Sequence, residues 1–292
     1  MVQLIGFAIV MLVVSGALLV SGGPAVLAAL PFELALIGGA AIGTVMIGNS
    51  AAVAKAALKG FAQALSGAKW KRSDYAGLLT VMHELLRRAR KGGILAIEED
   101  IERPQQSALF ATQPRLQQDP RALGLICDSF RLIALDPAMR EQTATYLQDT
   151  VGEIVDQRQR AVSALQTLAD ALPALGIVAA VLGIIKTMAM IDQSTAILGE
   201  MIAAALLGTF LGVFLAYGLV GPMANRFGQI IEEEALYLDT IARIITAYTQ
   251  NTAPRTAIEM ARASLPVDLR PDISTLDDRL KITQLDQARN AA

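Results

Sequence analysis

Four apolar blocks, residues 2–21, 32–49, 171–191 and 201–222, interrupt a chain otherwise rich in polar and charged positions. At 1.5 Å per helical residue each block is about long enough to cross ~30 Å of hydrocarbon, so the pattern predicts four transmembrane helices. The connections 22–31 and 192–200 contain no Lys or Arg, and every basic residue except Lys186 lies in 50–170 or 223–292. Positive loops remain cytoplasmic, which predicts both termini and the long middle stretch inside and two short loops outside. The expected organisation is a membrane hairpin over 1–49, a cytoplasmic domain over 50–170, a second hairpin over 171–222, and a cytoplasmic helix with a flexible tail over 223–292.

The polar stretches carry helical periodicity. Segments near 73–92, 119–134 and 138–170 place apolar residues three and four apart; Leu78, Leu79, Met82, Leu85 and Leu86 form one such stripe. Breaks are expected at Gly92-Gly93, Arg103-Pro104, Gln113-Pro114 and Asp136-Pro137. No alternation of period two is long enough to propose a sheet. The predicted fold class is an all-α integral membrane protein, four transmembrane helices with a helical cytoplasmic domain.

Composition agrees with a lipid-embedded chain. The sequence is 53% hydrophobic and 18% charged, with mean hydropathy +0.46. A net charge of -2 gives no basic excess for nucleic acid. One cysteine, Cys127, excludes an internal disulfide, and with His83 as the one histidine a zinc site or clustered catalytic chemistry is not expected. No basic residue precedes Lys55, so the first block reads as a retained span and not as a cleaved signal peptide.

Small residues mark the helix contacts. The second span carries Gly38-Gly39-Ala40-Ala41-Ile42-Gly43; the third has Pro173, Gly176, Ala180 and Gly183; the fourth sets Ala204, Gly208, Gly212 and Ala216 at four-residue intervals. Such ridges let helix backbones approach closely in lipid. Pro222 is expected to end the fourth span, and Glu33, Asp192 and Glu200 to sit at outer ends, with Glu33 and Lys186 anchoring helix ends. Polar groups at depth then reduce to Thr44, Thr187, Thr209 and Tyr217, too few to relay protons without a partner's carboxylate. For Thr209 the plain alternative is a hydroxyl bonded to the preceding turn, and for Pro173 and Pro222 simple placement near helix ends.

Outside the membrane, Arg87, Arg88, Arg90 and Lys91 are followed closely by Glu98, Glu99, Asp100 and Glu102. Basic residues suit a helix C-terminus, and charge runs are commonly solvated faces; paired opposite signs also suit transient docking.

The runs Leu172-Pro173-Ala174-Leu175-Gly176-Ile177-Val178-Ala179-Ala180-Val181-Leu182-Gly183 and Gly208-Thr209-Phe210-Leu211-Gly212-Val213-Phe214-Leu215-Ala216-Tyr217-Gly218, with the Asp100-Ile101-Glu102-Arg103-Pro104 turn, resemble the MotA family of flagellar motor stator subunits. The resemblance implies a homopentamer around two copies of a MotB-type single-span partner, in the bacterial inner membrane. That partner supplies the proton-binding aspartate. It also implies roles in the proton path and ion-coupled movement for Pro173, Ala180, Thr209, Tyr217 and Pro222. Arg90 and Glu98, joined by Arg87 and Arg88, would contact the rotor protein FliG. Sodium-driven relatives carry threonine at the position matching Ala180; a methyl offers no oxygen to a hard cation, so protons are the expected fuel, with no cofactor. An ExbB/TolQ-like energy-transducing subunit driving an outer-membrane process is the alternative, though that class has three spans. A self-contained transporter would need broken, repeated helices at the midplane, and none is evident.

Overall fold

The computed structural model describes residues 2–21, 23–135 and 140–290, with side chains left undescribed for Ser21, Arg140, Glu141 and residues 282–290. Among the described residues there is helix and loop but no strand. Contacts divide the chain into two compact units, residues 1–67 with 156–231 and residues 68–155 with 232–292. These limits follow compactness, whereas the hydropathy boundaries at 49, 170 and 222 follow the apolar blocks.

The first unit holds α1 (Val2–Ser21), α2 (Gly23–Gly48), α3 (Ala51–Ser66), the later part of α9 (Arg140–Met188), α10 (Thr195–Val213) and the start of α11 (Gly221–Thr249). Among the described residues four helices are long and apolar enough to cross a membrane. They are not the four spans as bounded by hydropathy. Helix α2 begins at Gly23, which has φ +65 and no side chain to oppose it. Helix α2 then runs unbroken through Pro31, whereas the sequence placed a loop over 22–31. In hydrocarbon no water satisfies an open backbone, so a proline is carried within a helix where it would end one in water. The span has 26 residues and no shortfall in length. The same physics applies at Pro173, inside α9, and at Pro222, inside α11. Pro222 does not end the helix; the wide-turned π-helical stretch Phe214–Val220 precedes it, and the Gly221 N–H reaches back to the Ala216 carbonyl.

Helices α9 and α10 meet backbone to backbone. A Cβ on Gly176 would lie 2.7 Å from the Gly208 carbonyl oxygen, one on Gly212 would lie 2.6 Å from that of Leu172, and one on Gly183 would meet the Ala205 Cβ at 2.5 Å. This is the contact predicted from the small-residue ridge, and Ala216, its last member, is fully buried. Ile37 and Ala41 of α2 join Leu172, Ala179, Leu207 and Leu211 in the unit's core. Outward, Leu12, Val20, Ile47 and Ile185 remain exposed apolar side chains, a surface fit for lipid or for other membrane helices.

The second unit is built around α4 (Arg72–Gly92), with α5 (Glu98–Glu102), α6 (Ala108–Ala111), α7 (Pro114–Gln117), α8 (Pro120–Leu135), the start of α9, the rest of α11, α12 (Pro254–Ala263) and α13 (Ile273–Asn290). The predicted stripe of Leu78, Leu79, Met82, Leu85 and Leu86 is fully enclosed, together with Tyr75, Phe110, Phe130 and Tyr237. Trp70 stacks on Tyr237 at 3.9 Å between ring centroids, and Tyr75 meets the same ring edge-on at 5.2 Å. Three breaks fall where expected: Gly93 takes φ +74, α5 stops before Arg103-Pro104, and Pro114 starts α7. The Asp136-Pro137 break lies outside the described residues. The segment after Pro266, expected as a flexible tail, is instead helical over Ile273–Asn290 and buries Leu276 and Leu280 in the core. Those two leucines are four apart, a periodicity too short to stand out among polar neighbours.

Candidate functional sites in the membrane unit and at the charged rim

Within the membrane unit, the α9–α10 seam gathers most of the predicted path residues. Ala180 is buried, Pro173 and Thr209 are half-buried, and Tyr217 and Pro222 are exposed. A Cβ built on Gly208 would lie 2.9 Å from the Ala179 Cβ and 3.3 Å from the Ala180 nitrogen, so Ala180 and the residue preceding Thr209 are neighbours. Thr44 and Thr187 return their hydroxyls to carbonyls one turn back, at 3.0 and 2.9 Å. Thr209 does not: it has no hydrogen bond to another described residue, so its hydroxyl is available, contrary to the plain expectation for it. Pro173 deprives the Ala169 carbonyl of its helical donor beside the tightest part of the seam. Tyr217 belongs to the π-helical stretch and points 69% exposed out of the unit; such wide turns are frequent at functional sites.

Glu33 differs most from its sequence reading. Because α2 starts at Gly23, Glu33 lies ten residues into the helix, about 15 Å from its start. It is 5% exposed, and its Oε2 lies 3.0 Å from the position of a Gly208 Cβ. It is thus a carboxyl enclosed by α2 and α10, not an anchor at an outer mouth. The carboxyl lies inside the second apolar helix, whereas the sequence reading put it near the helix's beginning. The signal was present: 25–30 and 34–48 are both apolar, so ignoring Pro31 merges them into one run containing Glu33.

In the second unit, the basic cluster of α4 divides into two kinds of residue. Glu84, buried one turn earlier, accepts from Arg87 Nε and Nη2 at 2.8 and 2.9 Å and from Arg88 Nε at 2.8 Å. Arg88 Nη1 also reaches Asp100 at 3.2 Å, and Asp100 accepts from Ser107, the N-cap of α6. Arg131 donates to Glu102 at 2.8 Å and to the Ile101 carbonyl at 2.9 Å. The 100–104 turn is therefore tied to α4, α6 and α8 by charge-assisted bonds. Arg90 is exposed and donates to the Thr252 carbonyl at 2.8 Å, in the loop between α11 and α12. Lys91 and Glu98 are exposed and have no ion pair among the described residues. Arg87 thus pairs with Glu84 within α4 and Arg88 ties Glu84 to the turn, while Arg90, Lys91 and Glu98 present charge to solvent. Sequence reasoning missed Glu84, although its three- and four-residue spacing to Arg87 and Arg88 was legible.

Among the described residues no cluster of His, Cys, Asp or Glu could hold a metal ion. Burial pushes the Cys127 thiol up to about 12, which suits packing and not reactivity. Burial also pushes the His83 imidazole below its ordinary range; nearby Glu84 opposes the shift, and Arg255 and Arg87 add to it.

Similarity to known proteins runs along nearly the whole chain. Residues 4–93 match the family described as Motility protein A N-terminal, and residues 120–240 match the MotA/TolQ/ExbB proton channel family. The chain is 31% identical to Motility protein A of Salmonella typhimurium over 96% of its length and 95% of that protein's. It is 30% identical to the chemotaxis protein LafT of Vibrio parahaemolyticus, over 95% and 97% of the two chains. In fold it is similar to a chain of the C. jejuni MotAB structure, with TM-score 0.72 and 18% identity over 91% and 96% of the chains. A chain of the flagellar MotAB stator complex from Bacillus subtilis aligns with TM-score 0.68 and 22% identity over 96% and 98%.

Proposed function

The chain belongs to the motility protein A family, membrane subunits of the flagellar motor stator, and from that premise we propose that it surrounds a MotB-type single-span partner as a homopentamer, five copies to two, and turns as protons enter the cell. The α9–α10 seam carries this reading. It is a close-packed, largely apolar interface beside which Thr209 has an unused hydroxyl, and the α9 face bearing Ile177, Val178 and Val181 is open to another apolar helix.

In this scheme the partner's aspartate takes a proton beside Ala180 and Thr209. Neutralising a charge in a low-dielectric site changes which face of the surrounding helices it prefers. A proton crossing 100 mV releases about 2.3 kcal/mol, enough to bias a rotational step. With five subunits around two aspartates, the two carboxylates occupy different environments and can alternate. Helices α9 and α11 have residues in both units and form the covalent route for movement between them. Arg90 and Glu98 then push the oppositely charged surface of the rotor protein FliG. In this scheme the chain sits in the bacterial inner membrane with both termini cytoplasmic.

The test is swimming in a strain deleted for this gene, with filaments counted by microscopy. Flagellated, paralysed cells restored by the wild-type gene and not by Pro173→Ala are expected. Normal swimming with impaired outer-membrane integrity would favour an ExbB/TolQ-like role instead.

A further inference from the structure

We propose that Glu33 is a proton-relay group of the membrane unit, taking protons from a water-accessible cavity and passing them to the seam where the partner's carboxylate is placed; this rests on the stator reading above. Three observations converge on it. Glu33 lies in an apolar helix, and its Oε2 is buried with no hydrogen-bond partner. A buried charge without a partner costs several kcal/mol, so a carboxyl kept in such a place points to a task that packing does not supply. A structural role would pair it. Among the described residues Lys186 is the one other ionisable group lining the same cavity, yet it makes no hydrogen bond to the buried Oε2.

The second observation is the cavity itself. About 500 Å³ in volume, it is bounded by Ala29, Glu33, Ala179, Lys186, Thr187 and Ala205, among others. Lys186 and Thr187 belong to the last turn of α9, the end expected to face outward. A space of this size, with an ammonium, a hydroxyl and a carboxyl on its walls, is roomy and polar enough for several waters.

The third is the opposite side of the carboxyl. Oε2 adjoins Gly208, which touches Ala179 and Ala180 and precedes Thr209. Glu33 therefore borders both the cavity and the positions assigned to the ion path. The transfer is balanced: a hydronium in the cavity loses a proton as an O–H bond forms at Oε2, and the acid then yields that proton to a water or to the partner's carboxylate. Glu33 returns to the carboxylate form, with no net change. Among the described residues α2 and α10 bring no other charged residue to the cavity, so Lys186 of α9 is the charge that tunes these steps.

The experiment uses the purified complex of this chain and its partner in liposomes. A potassium diffusion potential drives protons inward and a trapped pH-sensitive dye reads them. Wild type, Glu33→Gln and Glu33→Asp are compared after confirming that each co-elutes with the partner. Flux in Glu33→Gln should fall on the order of 100-fold, the low end for a positioned proton-transferring side chain. Glu33→Asp should retain an intermediate flux. Glu33→Gln conducting as fast as wild type would overturn the proposal. Absence of flux in wild type would instead count against the stator reading, and Glu33 is then judged by labelling with an apolar carbodiimide, which condenses with protonated carboxyls in apolar sites. A modified Glu33 peptide supports the relay; modification of the partner's aspartate alone contradicts it.

Discussion

Substituting Gly212 by alanine tests whether the α9–α10 contact is as tight as its geometry states. The added methyl would lie 2.6 Å from the Leu172 carbonyl oxygen, 2.9 Å from the Gly176 Cα and 3.1 Å from the Gly176 nitrogen. All three are backbone atoms and cannot rotate away, so the helices must separate by several tenths of an ångström to reach ordinary van der Waals distance. Overpacking of this kind costs about 1–3 kcal/mol. In a soluble domain of similar size that corresponds to about 2–4 °C in melting temperature per kcal/mol. Gly152, on the same α9, has nothing within 4 Å of a built Cβ and serves as the control; its alanine variant should gain up to about 1 kcal/mol from helix propensity. Melting of the detergent-solubilised protein and swimming in the complemented strain give the two readouts. Gly212→Ala should melt earlier and swim poorly, because the seam holds Pro173 and Thr209 in register. Gly212→Ala matching Gly152→Ala in both assays would refute a backbone-tight seam.

Removing the charge of Glu84 with Glu84→Gln should cost about 2–3 kcal/mol, below the usual penalty for breaking a buried pair because both arginines reach solvent; denaturant melts measure it, and unchanged stability would mean the node is not structural. Arg90→Glu should lower torque while leaving proton flux intact, and a reciprocal charge swap on the rotor should restore part of the torque in a tethered-cell assay. Thr209→Ala should slow rotation modestly, with complete paralysis marking the hydroxyl as indispensable. The depressed His83 imidazole predicts a pH effect. Below its ordinary value of about 6.5 the unfolded chain binds a proton that the folded one resists, so stability falls as pH drops through that value. Melts at pH ~5.5 and ~7.5 should show this loss, and His83→Gln should reduce it.

The sequence made much of this legible because membrane helices obey few rules. Apolar length disclosed the four crossings, and four-residue spacing of Gly208, Gly212 and Ala216 disclosed the seam, since only small residues permit that approach. Enclosure of Leu78, Leu79, Met82, Leu85 and Leu86 followed from their spacing on α4. What was not legible came from applying solvent rules to lipid. Pro31 and Pro222 would end helices in water, but within the membrane unit the helices continue through both. Reading Pro31 as a boundary displaced Glu33 from the interior of α2 to its mouth and so concealed a buried carboxyl. In the second unit, a run of like charges could not reveal which members turn inward. The inward turn of Arg87 and Arg88 depends on Glu84 and on Asp100 arriving from the next turn of chain. The path roles of Pro173, Ala180, Thr209, Tyr217 and Pro222 came from family resemblance and remain proposals to be tested by mutation.

The central claim, that proton flow through this subunit and its partner drives rotation, is tested most directly by tethered-cell speed in the deletion strain complemented with the wild-type gene. Speed is followed while a protonophore collapses the proton gradient and, separately, while sodium is replaced by potassium. Rotation that stops with the protonophore and persists without sodium is the predicted result. Rotation that survives the protonophore and fails on sodium removal would contradict the proton assignment and the reasoning drawn from Ala180.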